Sequence, residues 1–179
     1  MKEPIKILGD ERRDYILKRL QESRHPITGS ELASITNVSR QVIVGDITLL
    51  KAKNEPIIAT SQGYLYMPAS NPVGAERTIA CSHPPGRTEE ELTLLVDHGV
   101  TVKDVKIEHP VYGDLTASIM VSNRQEVKQF MEKIQSTKAA YLSELTDGIH
   151  LHTISALTER ALDDAEEALK KANFLVELE

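Results

Sequence analysis

Residues 28–53 read TGSELASITNVSRQVIVGDITLLKAK, and this stretch contains two helix starts separated by a tight turn. The Thr28-Gly29-Ser30 run and Ser39 offer the side chains that cap helix N-termini, and Thr36-Asn37-Val38 is a turn sequence. Apolar residues of the second helix recur at steps of four and three: Ile43, Ile47 and Leu50. The stretch therefore predicts a short helix, a turn and a longer helix that ends near Lys53.

The flanking sequence completes a winged helix-turn-helix pattern. Upstream, apolar residues at helical spacing predict a first helix over residues 10–22, which His25-Pro26 ends. Downstream, the β-prone runs 57–60 and 64–67 flank the turn Ser61-Gln62-Gly63 and predict a hairpin. We assign this order of elements to a DNA-binding domain over residues 1–70.

The polar side of the third helix is typical of DNA recognition. Residues near the N-terminus of a recognition helix reach base edges, and Arg suits guanine as Gln suits adenine. The candidate DNA-binding residues are Ser39, Arg40, Gln41, Val44, Thr48 and Lys51 in the helix and Ser61 and Gln62 in the wing. A protein-contact module with ordinary solvated side chains would show the same pattern. Gly45 costs about 1 kcal/mol relative to Ala in a helix interior, and close approach to DNA is one reason to retain it.

The charge of each half indicates which half contacts DNA, and the cysteine content and hydropathy indicate the cellular compartment. Residues 1–70 hold 10 Lys/Arg and 8 Asp/Glu, whereas residues 71–179 hold 11 and 19. Since DNA affinity comes largely from cations, DNA contact is expected from the first half. One Cys excludes an intramolecular disulfide framework and suits a reducing compartment. No apolar run approaches the roughly 20 residues that span a bilayer, so we expect a cytoplasmic protein with no membrane partner.

The sequence of the second half predicts an α+β domain over residues 76–179. A linker rich in Pro, Ser and Gly, at residues 68–74, precedes it. We predict strands or strand-like runs at residues 78–81, 100–109, 115–121, 140–154 and 174–177, and helices at 89–97, 125–136 and 159–171. Thr88 is expected to cap the first of these helices. Such an order predicts helices packed on a mostly antiparallel sheet.

A paired-histidine motif within this domain predicts a metal site. In a strand, His150 and His152 project from the same face, and imidazole is a common ligand for transition metals. His83 and Glu91, eight residues apart across a strand-to-helix turn, can complete a set of three imidazoles and one carboxylate. We expect the site at a strand edge. Ordinary alternatives are a half-exposed strand for the His pair and a helix-dipole role for Glu91.

Four strings of the sequence resemble a known regulator family. They are His83-Pro-Pro-(x)5-Glu91, Glu108-His-Pro-Val-Tyr-Gly-Asp114, Gly148-Ile-His-Leu-His-Thr153 and Val38-Ser-Arg-Gln-Val-Ile-Val44. The first three resemble the 3H (three-histidine) domain, and the fourth resembles the helix-turn-helix that precedes it in bacterial repressors. Together they extend over most of the chain.

The resemblance implies a transcriptional repressor of NAD biosynthesis or niacin uptake genes, of the NiaR type, which senses nicotinic acid and is not an enzyme. It places the metal ligands on His83, Glu91, His150 and His152, and it implies that His109 and Tyr112 contact the effector. The implied cofactor is one divalent transition metal (Zn, Ni or Fe). The implied partner is double-stranded operator DNA, bound by a homodimer, with nicotinic acid as co-repressor.

Two other functions stay open at the level of sequence. A metal-dependent oxidase or hydrolase of the cupin type would carry a Glu after three or four intervening residues from the His pair, where this chain has Ala156 and Leu157. A regulator that senses the metal itself would need the same ligands.

Overall fold

The computed structural model describes residues 8–67 and 74–176, in two compact units that comprise residues 1–71 and 72–179. Most of the predicted linker, residues 68–73, lies outside the described residues. Each unit has its own hydrophobic core. The predicted fold class is confirmed, since a helix-turn-helix region precedes an α+β domain with an antiparallel sheet. Within the described ranges, no helix combines the length and apolar character that crossing a bilayer requires.

The N-terminal unit has the predicted order of elements. They are α1 (Gly9–Glu22), α2 (Gly29–Thr36), α3 (Arg40–Ala52), β1 (Ile57–Thr60) and β2 (Gly63–Tyr66). The Thr28 hydroxyl caps α2 by accepting from the Glu31 amide at 3.1 Å, and Ser39 caps α3. Asn37 ends α2 in the left-handed conformation at φ 53°. The turn between the two helices therefore follows from local sequence chemistry.

The hairpin is held against the helices by a third extended segment. Ile27 and Tyr64 exchange both backbone hydrogen bonds, at 2.9 and 2.8 Å. Gly63, at φ 139°, allows this close approach, because a Cβ there would lie 2.6 Å from the Ile27 carbonyl oxygen. The wing is thus fixed to the segment that enters α2.

A buried ion pair fixes α3 against α1. Arg12 Nε donates to Asp46 Oδ2 at 2.6 Å, and Arg13 Nη1 donates to Asp46 Oδ1 at 3.2 Å. Asp46 is 3% exposed and Arg12 is 8% exposed. Since α3 carries the candidate DNA-reading residues, this pair determines which side of α3 remains at the surface.

The second unit packs three helices on a four-stranded antiparallel sheet. The elements are β3 (Ala75–Ser82), α4 (Thr88–Asp97), β4 (Thr101–His109), β5 (Gly113–Val121), α5 (Arg124–Thr137), β6 (Ile149–Ala156) and α6 (Glu159–Lys171), with short 3₁₀ helices at Pro85–Arg87 and Leu142–Thr146. The strand order is β3-β6-β4-β5. One core contains residues of all three helices and of the strands, so it lies between the helical layer and one face of the sheet.

The position of β6 corrects the expectation of a site at a strand edge. β6 pairs with β3 on one side and with β4 on the other, so it is an interior strand. Its histidines point into the core, each 3% exposed, while Ile149 and Leu151 point outward at 57% and 39% exposure. The half-exposed strand with outward histidines is therefore wrong, and the usual polarity of the strand is reversed.

Three other local predictions differ from the structure. Residues 142–146 form a 3₁₀ helix rather than a strand, because the Glu144 carboxylate accepts from the Tyr141 amide and Gly148 N donates to the Ser143 carbonyl. Thr88 is the first residue of α4 and not its cap. Among the described residues, the run after α6 joins β3 through one bridge between Cys81 and Leu175. In it Ser82 N donates to the Phe174 carbonyl at 2.8 Å and Val176 N donates to the Ala80 carbonyl at 3.0 Å. Glu177 lies outside the described residues.

We predict that Asp46→Ala lowers the free energy of unfolding of the N-terminal unit by about 3–5 kcal/mol, because it leaves the buried Arg12 guanidinium without its carboxylate. Denaturant unfolding followed by far-UV circular dichroism measures the loss. Lys18→Ala is the matched control, since it removes an exposed ion pair of α1 with Glu22 at 3.9 Å. An equally small loss in both variants would contradict the assignment.

Candidate functional site

The four residues predicted to bind a metal converge in the interior of the second unit. His83 follows β3, Glu91 lies in the first turn of α4, and the other two histidines lie on β6. Exposed fractions are 5% for His83, 1% for Glu91 and 3% for both His150 and His152. Four ionisable side chains buried together need one another's charge and hydrogen bonds.

Strand pairing and one glycine bring these residues together. Cys81 pairs with His150 in the β3–β6 register, which places the end of β3 beside the start of the paired-histidine motif. Gly148, at φ 93°, precedes the motif, and a Cβ there would lie 2.5 Å from the His83 carbonyl oxygen. Only glycine tolerates both the left-handed backbone and this approach.

Backbone carbonyls orient all three imidazoles. His83 Nδ1 lies 2.9 Å from the Pro84 oxygen, His150 Nδ1 lies 2.8 Å from the Gly148 oxygen, and His152 Nδ1 lies 2.6 Å from the Asp104 oxygen. A carbonyl oxygen only accepts, so each Nδ1 carries a proton and donates it. The Nε2 atom of each ring therefore faces Glu91. In metal sites, backbone carbonyls orient ligand histidines in the same way, by accepting from the ring nitrogen that does not bind the metal.

The Nε2 atoms surround the Glu91 carboxylate. The distances are 2.7 Å from His83 to Oε2, 3.3 Å from His150 to Oε1 and 3.4 Å from His152 to Oε2. Burial by itself raises the pKa of Glu91, but the surrounding imidazoles hold that pKa well below its usual range. Glu91 is therefore a carboxylate anion inside the core.

The same interactions favour protonated histidines. Burial lowers the pKa of His83 and of His152, but the neighbouring Glu91 carboxylate outweighs burial and raises both. A proton held by His83 or His152 would therefore help to balance the charge of Glu91. A divalent cation can supply the same charge, and its binding would release those protons, because only neutral imidazole nitrogen coordinates a metal.

The unfilled bonding capacity of Glu91 fits a metal ion. Glu91 Oε1 is buried, and within the part of the chain that the structure describes its contact with His150 Nε2, at 3.3 Å, lacks the geometry of a hydrogen bond. A buried polar atom without a partner costs about 1–3 kcal/mol. Three imidazole nitrogens and a carboxylate oxygen are donors that suit Zn, Ni or Fe. The residues present are thus chemically suited to hold such an ion.

Cys81 is a neighbour of this cluster that sequence reasoning missed. Donor atoms of Cys81, Glu91 and His150 lie within 4.8 Å of one another, and Cys81 is fully buried. Burial, together with the Glu91 carboxylate, raises the pKa of the thiol. Since the thiolate is the form that binds metals, the neutral thiol is a weaker candidate than the imidazoles. The signal in the sequence is the spacing of two between Cys81, near the end of β3, and His83, which directly follows that strand.

An apolar cavity of about 210 Å³ opens beside the cluster. Its polar end is formed by His83, Glu91, His150 and His152 together with Thr88 and Ser143. The rest of the lining is Leu92, Val105, Ala117, Ile119, Phe130, Ile134, Ala140, Tyr141 and Leu142. An apolar pocket with a few polar groups at one end is typical of a small-molecule site.

The structure does not bring His109 and Tyr112 to this cavity. Both lie at the turn that joins β4 to β5, and they are absent from the residues that line it. His109 Nδ1 accepts hydrogen bonds from the amides of Val111 and Tyr112, at 3.1 and 3.3 Å, which holds the imidazole in the turn. The Tyr112 ring stacks on it at 5.0 Å and is 75% exposed. A contact of these two residues with an effector stays a prediction.

The predicted DNA-binding residues lie on the accessible part of the helix-turn-helix. Exposed members on α3 and its cap are Ser39, Arg40, Gln41, Thr48 and Lys51. Val44 is half-buried, and so are Ser61 and Gln62 in the turn between β1 and β2. Ser39 accepts from the Val42 amide at 3.4 Å, so its hydroxyl proton can still be donated outward.

Gly45 lies in the middle of this exposed face. A Cβ at Gly45 would meet no heavy atom within 4 Å. Packing inside the unit therefore gives no reason for glycine here, although glycine is unfavourable in a helix interior.

Comparisons with known proteins agree with this architecture. A family model described as "3H domain" matches residues 76–178, and one described as "HTH domain" matches residues 12–65. The chain is 63% identical over 178 residues to the transcription repressor NadR of Bacillus subtilis, with 98% of this chain and 99% of that protein aligned. It is 39% identical over 173 residues to the probable transcription repressor NiaR of Thermotoga maritima, with 97% and 98% aligned.

Both relatives are named as transcription repressors, and both align over nearly their full length with the two units described above. This supports a regulator rather than an enzyme. The chain belongs to the family of 3H-domain transcription repressors that carry an N-terminal helix-turn-helix.

Proposed function

We propose that this repressor holds one divalent transition metal (Zn, Ni or Fe) in its 3H domain and senses nicotinic acid there. It would control genes of NAD biosynthesis or niacin uptake from the cytoplasm, where the chromosome lies. The single observation that carries the proposal is the apolar cavity whose polar end is the His83–Glu91–His150–His152 cluster.

The cavity matches the chemistry of a small aromatic acid. Among the residues that line it, Lys and Arg do not occur, while apolar side chains form most of the wall. A carboxylate that enters would need a positive charge, and the cluster is where a metal would supply it. A pyridine ring would pack against the apolar wall, which includes Phe130 and Ile119.

The helix-turn-helix supplies the DNA contact. Arg40 and Gln41 lie exposed at the start of α3, where side chains reach base edges in the major groove. Lys51 lies exposed near the end of the same helix and would contact phosphate. Because such proteins read pseudo-palindromes, we propose a homodimer. Nicotinic acid would act as co-repressor by favouring the dimer arrangement that binds the operator.

We predict one divalent metal per chain, lost when His150→Gln is combined with His152→Gln, because two of the four donors disappear. Elemental analysis of purified protein measures the content. Glutamine is preferred to alanine because it keeps a large polar side chain at two buried positions of an interior strand. Circular dichroism checks that the double variant folds. Cys81→Ala is the matched control, since it changes the paired residue on β3 and should retain the metal. If Cys81→Ala loses the metal and the double variant keeps it, the proposed ligands are wrong and the thiol of Cys81 is a ligand instead.

For the DNA interface, we expect Gly45→Ala to stabilise the protein by about 1 kcal/mol and at the same time to weaken operator binding. The gain follows from helix propensity, because the new methyl group meets nothing in the unit. The loss follows if DNA approaches the α3 backbone at this point. Denaturant unfolding and fluorescence anisotropy with operator DNA measure the two effects.

Two comparison variants identify the cause of that loss. Arg40→Ala should weaken operator binding by about 1–3 kcal/mol through a lost base contact. Lys51→Ala should weaken binding to all sequences alike and reduce its salt dependence. Unchanged operator affinity in Gly45→Ala would mean that DNA does not approach this part of α3.

Effector and operator should bind cooperatively. Nicotinate is expected to tighten operator binding by about 5–150-fold, which is a coupling of about 1–3 kcal/mol, and operator DNA must tighten nicotinate binding by the same factor. The effect should disappear in the His150/His152 double variant. Calorimetry of metal-loaded protein with and without operator measures it. Equal nicotinate affinity in both states would rule out a sensor, and an operator response to metal alone would favour a direct metal sensor.

A further inference from the structure

Two buried polar atoms make no well-formed hydrogen bond among the described residues, and both belong to residues that line the same cavity. They are Thr88 Oγ1 and Glu91 Oε1, three residues apart on α4. Since the two residues are separated by about one helical turn, their side chains share a face of the helix. Glu91 belongs to the metal cluster described above. Thr88 does not, and its hydroxyl needs a separate explanation.

Threonines inside other helices show one way in which such a hydroxyl is satisfied. Thr36 and Thr48 donate to the carbonyls of Leu32 and Val44, four residues earlier in the same helix, at 2.6 and 2.8 Å. Thr88 is the first residue of α4, so no carbonyl of that helix precedes it, and its hydroxyl has no partner among the described residues although the residue is only 8% exposed. A buried hydroxyl without a protein partner is unfavourable, and an acceptor on a ligand in the cavity would satisfy it.

The rest of the lining indicates what kind of ligand this is. An acceptor group must lie at the end of the cavity that holds Thr88 and the cluster, and an apolar body must lie along the remaining wall. A carboxylate has two acceptor oxygens, so one can face a cation and the other can accept from Thr88. A primary amide has only one acceptor oxygen; with that oxygen on the cation, its NH₂ group would donate to the Thr88 oxygen and leave the hydroxyl proton without an acceptor.

We propose that Thr88 determines specificity for the acid over the amide, by donating its hydroxyl hydrogen bond to the carboxylate of an aromatic acid bound in the cavity. The proposal rests on the proposed function, because it assumes a small-molecule effector beside a metal. It assigns the recognition of the carboxylate jointly to Thr88 and the cation held by the cluster.

Two substitutions separate the hydroxyl from the shape of the side chain. Thr88→Val keeps the volume and removes the hydroxyl, whereas Thr88→Ser keeps the hydroxyl. Calorimetry on full-length, metal-loaded protein would use nicotinate and nicotinamide as probes. We expect Thr88→Val to weaken nicotinate binding about tenfold to a hundredfold, which is the loss of a hydrogen bond to a charged group. Thr88→Ser should bind nicotinate nearly as the parent does. Nicotinamide affinity should fall less than nicotinate affinity in Thr88→Val, because a hydrogen bond to a neutral group is weaker than one to a carboxylate.

Two further readouts exclude a merely structural effect. Metal content should be equal in the parent and both variants, because Thr88 is not a ligand. Without effector, Thr88→Val should unfold at the same or a higher temperature than the parent, because a methyl group replaces an unpartnered hydroxyl. A lower unfolding temperature would show that the hydroxyl is bonded within the protein, and would overturn the proposal.

The outcomes also distinguish this inference from the proposed function. If the parent binds nicotinate and Thr88→Val binds it equally well, the role of Thr88 is wrong and the effector site stands. If the metal-loaded parent binds no nicotinate at all, the proposed effector is wrong and the carboxylate subsite is overturned with it. A parallel loss of nicotinate and nicotinamide binding in Thr88→Val would contradict a role in discrimination.

Discussion

A single buried carboxylate, Glu91, organises the second unit. An anion that is 1% exposed must be neutralised where it lies, and three imidazoles converge on it for that purpose. To do so, β6 must lie between β3 and β4, and α4 must lie over the sheet with Glu91 facing inward. The backbone carbonyls that accept from the Nδ1 atoms then fix each ring. Strand order, helix placement and ring orientation together meet this one electrostatic requirement.

Local rules of stability are broken at the positions where we propose function. Gly45 weakens a helix without any packing reason, and Thr88 Oγ1 and Glu91 Oε1 are buried without a well-formed hydrogen bond among the described residues. Threonines inside helices of the N-terminal unit, such as Thr36 and Thr48, do make such bonds. On our proposals another molecule compensates for each departure, DNA at Gly45 and a cation with its effector at Thr88 and Glu91.

The sequence predicted helices, caps and strand alternation well, because these depend on residues close together in the chain. Thus the placement of Ser39 as a cap and of both β6 histidines on one face agrees with the structure. The sequence did not show that the two histidines face inward. Local polarity favours the burial of Ile149 and Leu151, and the contact of the histidines with Glu91, which is distant in the sequence, opposes that preference. Cys81 was missed for a similar reason, because strand register depends on pairing across the sheet.

The reversed polarity of β6 has a genetic consequence. Because side chains of a strand alternate with a period of two, the insertion or deletion of a single codon before Ile149 would exchange the two faces. Both imidazoles would turn to solvent, and the branched aliphatic side chains of Ile149 and Leu151 would enter the core in their place. The strand would keep its hydrophobic composition and lose its ligands in one step. One in-frame indel could therefore disperse the proposed metal site without changing any of the residues that form it.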